Sequence, residues 1–408
     1  MGTQVSSVNE LPDVATPPGA GGLLATILQG QCVPALIARF GLRLSEALGR
    51  PFSFGGNVIV ARHSDVAEVL ARDLDFLIAP INKDRIDAVN GHFVLGMDRS
   101  ATLDLERQAL YSALHQVDMG KIRAQVVSEA DAAIARAGTG PLDVVGAYAR
   151  PIAARTAKAL FGISGSDERL FMDVARAIFA HTFLNVTNEK TIEDRALRAA
   201  ALMRAWFVDE IARRRASGQA GSDMMGGLIK DNTLDDDGVR RTLGGMLVGS
   251  IDTTATAVAK IVKVLSRDRD LHDNMNEDVG DPEKLNGWCR EALRRWPHNP
   301  ALLRRAAADT TLDTTEIKAG SVVVLLIQAA MLDRCVFPEP KELRPDRPPS
   351  AYLHFGGGLH PCAGRMVNEF QIPLLVRQLL VRGVGRAGRV KWAGPFPDRL
   401  DVSLGGRR

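Results

Sequence analysis

A glycine-rich loop that delivers one cysteine to the start of an apolar helix constrains this chain more than any other feature. The loop runs from Phe355 to Arg365 and reads Phe-Gly-Gly-Gly-Leu-His-Pro-Cys-Ala-Gly-Arg. Glycines allow a tight turn and let a flat group lie against bare backbone, while the apolar residues that follow have helical spacing. Cys362 is therefore expected at a helix N-terminus, where the helix dipole favours the thiolate that a metal ligand requires. Pro373, inside that helix, predicts a kink or a local break.

The order of Phe355, Gly358, Cys362 and Gly364 resembles the haem-binding signature of the cytochrome P450 family. The alternative is a buried structural cysteine in a glycine-rich turn. Such a cysteine would not need the phenylalanine and the two glycines at these positions, so the match supports the haem-binding interpretation. The resemblance implies haem b with its iron bound by the Cys362 thiolate, a ligand that favours O–O cleavage, and backbone around Phe355, Gly356 and Gly364 against the cofactor. It also implies a mainly α fold, with a large helical domain and a smaller β-rich part.

Glu291 and Arg294 form a Glu-x-x-Arg pair on one face of a predicted helix. A solvated ion pair is the common outcome for such a spacing and would contribute little. The position of the pair before Cys362 resembles the family's Glu-x-x-Arg, which is buried and joined by an arginine from the segment before the haem loop. Arg344 and Arg347 are the candidates for that arginine, and Arg347 matches better. We expect a folding role for this group.

A helix predicted over residues 236–266 contains Gly249, Ser250, Asp252 and Thr253, most of which are poor helix formers. A Ser or Thr hydroxyl that bonds the carbonyl four residues back loosens a helix and opens a groove. In the resembling family this groove lies over the haem and holds dioxygen, and an acid followed by Thr controls proton delivery. The resemblance assigns those catalytic roles to Asp252 and Thr253. A solvated Asp252 and a Thr253 that only bonds its own helix are the alternative.

The resemblance assigns Arg304 and His360 to the haem propionates, because both are donors suited to a carboxylate. Arg305 is adjacent and could take the role of Arg304. The role of His354 stays open, since the family often places a histidine two residues earlier, where this chain has Tyr352.

One segment departs from the family pattern. Many bacterial members carry a His and, four residues later, an Arg that contact the propionates from a helix, whereas this chain has Thr102 and Glu106. Arg107 stands one place out of register. Arg107 or Arg99 could substitute if the helix is shifted or rotated, and Arg107 is the candidate that we assign to the cofactor.

Length and composition fit one catalytic domain over residues 23–408, preceded by a flexible lead rich in proline and glycine over residues 1–22. The chain has 408 residues, of which 46% are hydrophobic, enough for a substantial core. The cysteines show no Cys-x-x-Cys spacing, so neither a zinc site nor a disulfide framework is indicated. Residues 23–42 are apolar but interrupted, which predicts no membrane anchor and a cytoplasmic protein.

The net charge of +3 is too small to indicate nucleic-acid binding. No phosphate-binding glycine loop for flavin or nicotinamide is present, so electrons must come from another chain. The resemblance implies a ferredoxin-type donor with its reductase. Basic residues that would surround the cysteine-ligand face could dock an acidic ferredoxin, and a solvated basic surface is the alternative. These residues are Arg99, Arg107, Lys121, Arg123 and Arg365.

Together these features predict a monooxygenase that inserts one oxygen atom from O2 into an apolar small molecule. A peroxide-driven peroxygenase is a second possibility, disfavoured because that branch typically lacks the acid–Thr pair. A haem-binding sensor or carrier without turnover is a third. The segments expected to line the substrate pocket are mostly apolar: residues 78–94, 179–187, 245–250 and 300–303. The substrate and the oligomeric state stay open.

Overall fold

The structure is a computed structural model that describes residue 43 and residues 50–405, apart from residues 55, 165, 186, 394 and 395. The predicted lead over residues 1–22 and the apolar stretch over residues 23–42 lie outside the described residues. Helices dominate the described chain, so the mainly α prediction is confirmed. In chain order they are α1 (His63–Ala71), α2 (Ala79–Asn90), α3 (Ala101–Gln116), α4 (Met119–Ala137), α5 (Arg150–Phe161), α6 (Glu168–Phe179), α7 (Lys190–Ser217), α8 (Met224–Asp231), α9 (Asp236–Val248), α10 (Asp252–Leu265), α11 (Arg269–Glu277), α12 (Pro282–Arg295), α13 (Ile327–Ala330) and α14 (Arg365–Arg382).

The strands of the smaller β-rich part are β1 (Phe52–Phe54), β2 (Asn57–Val60), β3 (Phe76–Leu77), β4 (Leu142–Asp143), β5 (Leu302–Ala306), β6 (Thr310–Leu312), β7 (Thr315–Ile317), β8 (Val322–Leu325), β9 (Val384–Ala387), β10 (Lys391–Ala393), β11 (Phe396–Arg399) and β12 (Asp401–Leu404). The main sheet has the strand order β1-β2-β8-β5-β3. Strands β2 and β8 pair in parallel, whereas β8 and β5 pair antiparallel. The other described strands form small antiparallel sheets, β6-β7, β4-β12-β9 and β10-β11.

Two large apolar clusters form the core of the helical part. One joins α5, α6, α7 and α9 through residues such as Phe171, Phe207 and Leu243. The other packs α10 against α12 and α14, with Val258 and Leu375 fully buried. Burial of side chains of this size stabilises the fold by about 1.5–3 kcal/mol for each residue. Helices α10 and α14 are thereby fixed beside each other, with their N-terminal ends at the candidate site.

The helix predicted over residues 236–266 is divided in the structure. Helix α9 ends at Val248 and α10 begins at Asp252, with Gly249, Ser250 and Ile251 between them. By length and composition, Asp236–Leu265 could cross a membrane, but 67% of its most apolar window is buried inside the protein. That burial is typical of a core helix of a folded domain.

The sequence predicts a kink or a local break at Pro373, and of these the break is absent, because helix α14 is continuous from Arg365 to Arg382. A proline inside a helix removes one backbone hydrogen bond and is expected to break or kink the helix. Here Ile372, Pro373, Leu375 and Val376 are all buried in the core. Tertiary packing on this face therefore outweighs the local propensity.

Candidate functional site

A cavity of about 320 Å³ reaches from the cysteine loop to the break between α9 and α10 and to helix α2. All four segments that the sequence predicts as pocket walls contribute to its lining, with Ile78, Phe179, Met246 and Leu302 as examples. The lining is mostly apolar. A small apolar molecule can therefore lie in the same space as Cys362.

The loop that carries Cys362 is closed by a hydrogen bond from the Cys362 backbone N–H to the Phe355 carbonyl, at 2.8 Å. Gly358 has a φ of +63°, and a Cβ there would lie 1.7 Å from the Leu70 carbonyl oxygen, so a side chain does not fit. The structure also places Phe355, Gly356 and Gly364 on the cavity wall with Cys362. Helix α14 begins directly after the loop, as the sequence predicts.

Two effects shift the pKa of the Cys362 thiol in opposite directions. Burial raises the pKa of the Cys362 thiol, while the backbone N–H groups of Gly364 and Arg365 lower it, and burial outweighs them. The backbone N–H groups at the start of the helix thus act in the direction that the sequence predicts, and burial opposes them. A bound metal cation deprotonates a coordinating thiol and would reverse this balance.

Arg304 and His360 line the cavity together. Arg304 is 6% exposed and donates from Nη1 to the carbonyl of its neighbour Leu303 at 2.8 Å. Burial lowers the pKa of Arg304 to about 10, and burial together with the charge of Arg304 lowers the pKa of His360 to about 4. The charge of Asp98 attracts both residues and opposes these shifts, but no carboxylate oxygen of the described chain forms an ion pair with either of them within 4 Å. Arg305 instead donates to the Gly320 carbonyl and does not line the cavity.

The segment that departs from the family pattern is held by a different contact. Glu106 on α3 is buried and accepts hydrogen bonds from His92 Nε2 at 2.7 Å and from Arg241 Nη2 of α9 at 2.8 Å. Thr102 is exposed. Arg107 is not among the residues that line the cavity, and its guanidinium lies 5.8 Å from the centre of the Tyr111 ring. Its assignment to the cofactor stays a prediction.

Thr253 lies in the first turn of α10 and lines the cavity with Gly249 and Ser250. Its Oγ1 donates to the Gly249 carbonyl, the backward bond that loosens a helix. Thr254 does not line the cavity, and its Oγ1 hydrogen-bonds the Ser250 carbonyl and Asn368 Oδ1, each at 2.9 Å. The two neighbouring threonines thus have different surroundings.

Asp252 is 3% exposed and does not line the cavity. Its Oδ1 accepts from Arg150 Nε at 3.0 Å and from Arg176 Nε and Nη2 at 3.0 and 2.7 Å. Its Oδ2 is buried and has no hydrogen-bond partner among the described residues. Burial would raise the pKa of Asp252, but attraction to Arg176 and Arg150 outweighs burial and lowers it. The carboxylate is therefore ionised, and it is not the solvated charge of the alternative interpretation.

Glu291 and Arg294 are both 0% exposed, so the ion pair is buried. Glu291 Oε1 accepts from Arg294 Nε at 2.7 Å and from the Tyr352 hydroxyl at 2.8 Å. Its Oε2 accepts from Arg294 Nη2 at 2.9 Å and from the Arg344 backbone N–H at 3.0 Å. The guanidinium that joins the pair is that of Arg347, 3.4 Å from Oε2. The Arg344 side chain instead pairs with Glu339 and Glu342 at the surface.

Sequence reasoning missed several polar residues of this region. Arg150 and Arg176 lie far from Asp252 along the chain, and no sequence pattern marks them as its partners. Tyr352 stands where the family often has a histidine, and it is the hydroxyl donor to Glu291. Arg85 lines the cavity from a segment that was expected to be apolar. Its helical spacing from Ile78, Ile81 and Asn82 was the available signal.

The residues around the cavity fit a thiolate-ligated haem. Cys362 offers a soft sulfur donor, and the buried Arg304 and the partly buried His360 offer hydrogen-bond donors suited to a carboxylate. Open space adjoins Gly249 at the helix break, where a Cβ would meet no atom within 4 Å. No cluster of His, Cys, Asp or Glu that could hold another metal ion occurs in the described part of the chain.

Comparison with known proteins adds an independent finding. A family model described as Cytochrome P450 matches residues 54–382. A steroid C26-monooxygenase of Mycolicibacterium smegmatis is 31% identical over 179 residues, 43% of this chain and 43% of that protein. The mycinamicin IV hydroxylase/epoxidase of Micromonospora griseorubida is 28% identical over 254 residues, 60% of this chain and 61% of that protein. The chain therefore spans less than two thirds of the length of either relative.

Solved structures show the same architecture. The crystal structure of CalO2 superimposes with a TM-score of 0.79 at 21% identity, over 92% of this chain and 98% of that one. The crystal structure of P450BioI in complex with an acyl carrier protein ligated to hexadec-9Z-enoic acid gives a TM-score of 0.78 at 19% identity, over 91% and 98%. Likeness at these identities shows the fold.

Proposed function

The chain belongs to the cytochrome P450 family, as its motifs predict, and we propose that it is a haem-thiolate monooxygenase. In this reaction O2, two electrons and two protons convert a substrate C–H group into C–OH and release water. The observation that carries the proposal is that Cys362 and Thr253 face one mostly apolar cavity. The iron ligand and the proposed proton-handling hydroxyl therefore have access to the same bound molecule.

Cys362 would bind the iron, and Arg304 and His360 would bind the carboxylates of the haem. Phe355, Gly356 and Gly364 would lie against the cofactor, and Arg107 stays the candidate on the α3 side. When bound, a thiolate-ligated haem supplies the activation of O2. The supporting features are the buried guanidinium of Arg304 on the cavity wall and the open space beside Gly249.

The chain's own residues would manage protons. Thr253 Oγ1 can hold a water molecule or donate a proton at the cavity wall, since its present acceptor is only a carbonyl of its own helix. Asp252 Oδ2 is a free buried acceptor at the neighbouring position. Arg176 joins Asp252 to Asp398, whose side chain is 53% exposed, so a chain of charged groups leads from the surface to Asp252. The acid–Thr pair favours O2 over peroxide as the oxidant.

Electrons would come from a ferredoxin-type donor with its reductase, in the cytoplasm, to a single catalytic domain over residues 23–408. Exposed basic side chains support docking of an acidic partner near Cys362: Arg99, Lys121, Arg123 and Arg365. Arg99 and Arg365 are paired with Asp73 and Glu369, which weakens the local positive charge. The guanidinium of Arg123 lies 4.0 Å from the centre of the Phe370 ring, on the helix that follows the ligand loop.

The reduced carbon monoxide complex tests the proposal. Wild type should show the red-shifted Soret band of a thiolate-ligated haem, and Cys362→Ser should lose that band. Cys335→Ser removes an exposed cysteine and is the matched control. A second measurement then separates a monooxygenase from a carrier. A monooxygenase should form a product that carries one oxygen atom from labelled O2, and only when reduced ferredoxin is supplied. A spectrum typical of histidine-ligated haem in the wild type would refute the proposal.

A further inference from the structure

Arg85 is a cation inside the proposed substrate cavity. It lies on α2, and Ile78, Ile81 and Asn82 from the same helical face also line the cavity. The spacing of these four residues is that of one helix side. Ile78 and Ile81 make this side apolar, so a guanidinium at position 85 requires a physical reason.

The known partners of Arg85 are neutral. Its Nε donates to the Thr182 carbonyl at 2.9 Å, and its Nη2 donates to the Ile81 carbonyl at 2.7 Å. No carboxylate of the described chain lies within 4 Å of this guanidinium. Burial lowers the pKa of Arg85, and only the attraction of Asp84 opposes this effect. The two carbonyls fix the guanidinium in position without neutralising its charge.

The surroundings of Arg85 are mostly apolar, although Asn82 shares its helix face and the charge of Arg85 helps to lower the pKa of the buried His181. Thr182 belongs to a π-helical turn, Ala180–Leu184, whose Phe183 and Leu184 line the cavity. Phe93 contributes a further ring to the lining. A charge in such an environment is costly unless a counter-ion or several hydrogen bonds compensate it. Nη1 makes no hydrogen bond within the described chain and is the atom available to a ligand.

The cavity thus holds two arginines with different neighbours. Arg304, on β5, lies close to His360, two residues before Cys362, and the proposed cofactor accounts for it. Arg85 instead contacts the π-helical turn after α6. A haem that Cys362, Arg304 and His360 hold does not explain a fixed cation at this second position. The bound substrate is the remaining source of a negative charge.

We propose that the substrate carries a carboxylate and that Arg85 binds it through Nη1 and the second proton of Nη2. The apolar remainder of the substrate would lie along the Phe and Leu side chains of the cavity. This inference rests on the proposed function and narrows its substrate class from an apolar molecule to an apolar acid. The guanidinium is preorganised by its two carbonyl acceptors, so little side-chain entropy is lost on binding.

Calorimetric titration of the haem-loaded protein tests the inference. The probes are decanoic, 4-phenylbutanoic and abietic acid, each compared at pH 7.5 with the primary alcohol of the same skeleton. At least one acid should bind about 10- to 100-fold more tightly than its alcohol, the ratio expected for hydrogen bonds to a charged group. The ratio should fall to near one in Arg85→Met and recover in part in Arg85→Lys.

Lys83→Met is the matched control, because Lys83 is an exposed cation of α2 that pairs with Asp87. It should keep the full preference for the acid. If Arg85 only ties α2 to the π-helical turn, Arg85→Met weakens acid and alcohol equally, and that result overturns the inference. A wild type that binds no acid more tightly than its alcohol overturns it as well.

Failure of this inference can be distinguished from failure of the proposed function. Calorimetry reports the preference for acids whichever residue ligates the iron. The reduced carbon monoxide spectrum reports the Cys362 ligand whichever substrate binds. If the spectrum is that of a thiolate-ligated haem but acids bind no more tightly than alcohols, Arg85 is not the carboxylate-binding residue. The monooxygenase proposal is then unaffected.

Discussion

Helices α10 and α12 each hold a buried carboxylate that is paired with arginine, and the two carboxylates use their oxygens differently. Glu291 on α12 accepts hydrogen bonds at both oxygens, from Arg294, Tyr352 and the Arg344 backbone. Asp252 on α10 accepts three guanidinium N–H groups at Oδ1 and none from the described residues at Oδ2. One carboxylate is fully satisfied and the other is half satisfied.

The difference indicates that Glu291 is a structural group, whereas Asp252 has one oxygen that can still accept a hydrogen bond. A buried charge is tolerated when all its hydrogen-bonding positions are filled, and removal of one partner is then expensive. A free oxygen on a buried carboxylate costs stability and is found where a function compensates for the cost. Asp252 does not line the cavity, but it directly precedes Thr253, which does. We therefore expect Glu291 to matter for folding and Asp252 for turnover.

Glu291→Ala should have the largest effect on stability. The change leaves the fully buried guanidinium of Arg294 with only the carbonyl oxygens of Met331, Pro340 and Glu342 as acceptors. The free energy of unfolding should fall by about 3–5 kcal/mol. Denaturant unfolding and the yield of soluble, haem-loaded protein measure the loss.

Tyr352→Phe is the graded control for that change, because it removes only the hydroxyl donor to Oε1. A hydrogen bond to a charged group contributes about 1.5–3 kcal/mol, so the loss should be smaller than for Glu291→Ala. A normal yield and normal stability of Glu291→Ala would contradict the structural role and remove the contrast with Asp252.

Asp252→Asn should cost less stability and more activity. The amide oxygen can still accept at the Oδ1 position, and Arg150 and Arg176 keep Asp173 and Asp398 as partners. The free energy of unfolding should fall by about 1.5–3 kcal/mol, while proton supply and the whole catalytic cycle slow. Steady-state turnover and denaturant unfolding, measured on the same preparation, test both expectations.

The pH dependence of stability sharpens this prediction. Attraction to Arg176 and Arg150 outweighs burial and lowers the pKa of Asp252 in the folded state. Its stabilising contribution is therefore present above the unfolded pKa, about 3.9, and is lost as the pH falls through the lower folded pKa. The difference in stability between wild type and Asp252→Asn should be constant near neutral pH and shrink below about pH 4. A difference that grows on acidification would contradict the assignment.

Thr253→Ala should have the smallest effect on stability, below about 1 kcal/mol, because a backward hydroxyl bond adds little to a helix. Substrate binding and haem loading should be unchanged. The variant should still consume electrons and oxygen but release them as peroxide, which a peroxide assay against product yield measures.

Thr254→Ala is the matched neighbour, since its hydroxyl contacts Asn368 and does not line the cavity. It should keep the ratio of product to electrons consumed. A lower ratio of product to electrons in Thr254→Ala, with the wild-type ratio in Thr253→Ala, would contradict the placement of the two hydroxyls.

Much of the fold class and the order of the motifs could be predicted from the sequence. The glycines around Cys362 and the helix that begins at Arg365 are local features, and the structure contains both. Of the kink or local break that the local rule predicts at Pro373, packing excludes the break, because α14 continues through the buried proline. The partners of Glu106 on α3, His92 and Arg241, could not be predicted from the sequence, and the assignment of Arg107 to the cofactor stays a prediction.

The sequence by itself determined the features that depend on neighbouring residues: helical periodicity, the Glu-x-x-Arg pair and the turn that only glycine can make. Tertiary structure alone decided which distant charges meet. Asp252 accepts from Arg150 and Arg176 on two other helices, and Arg85 enters a cavity whose walls come from many elements. The physical reason is that the energy of a charge depends on its burial and on its partners, and both are set by the packing of segments remote in the chain.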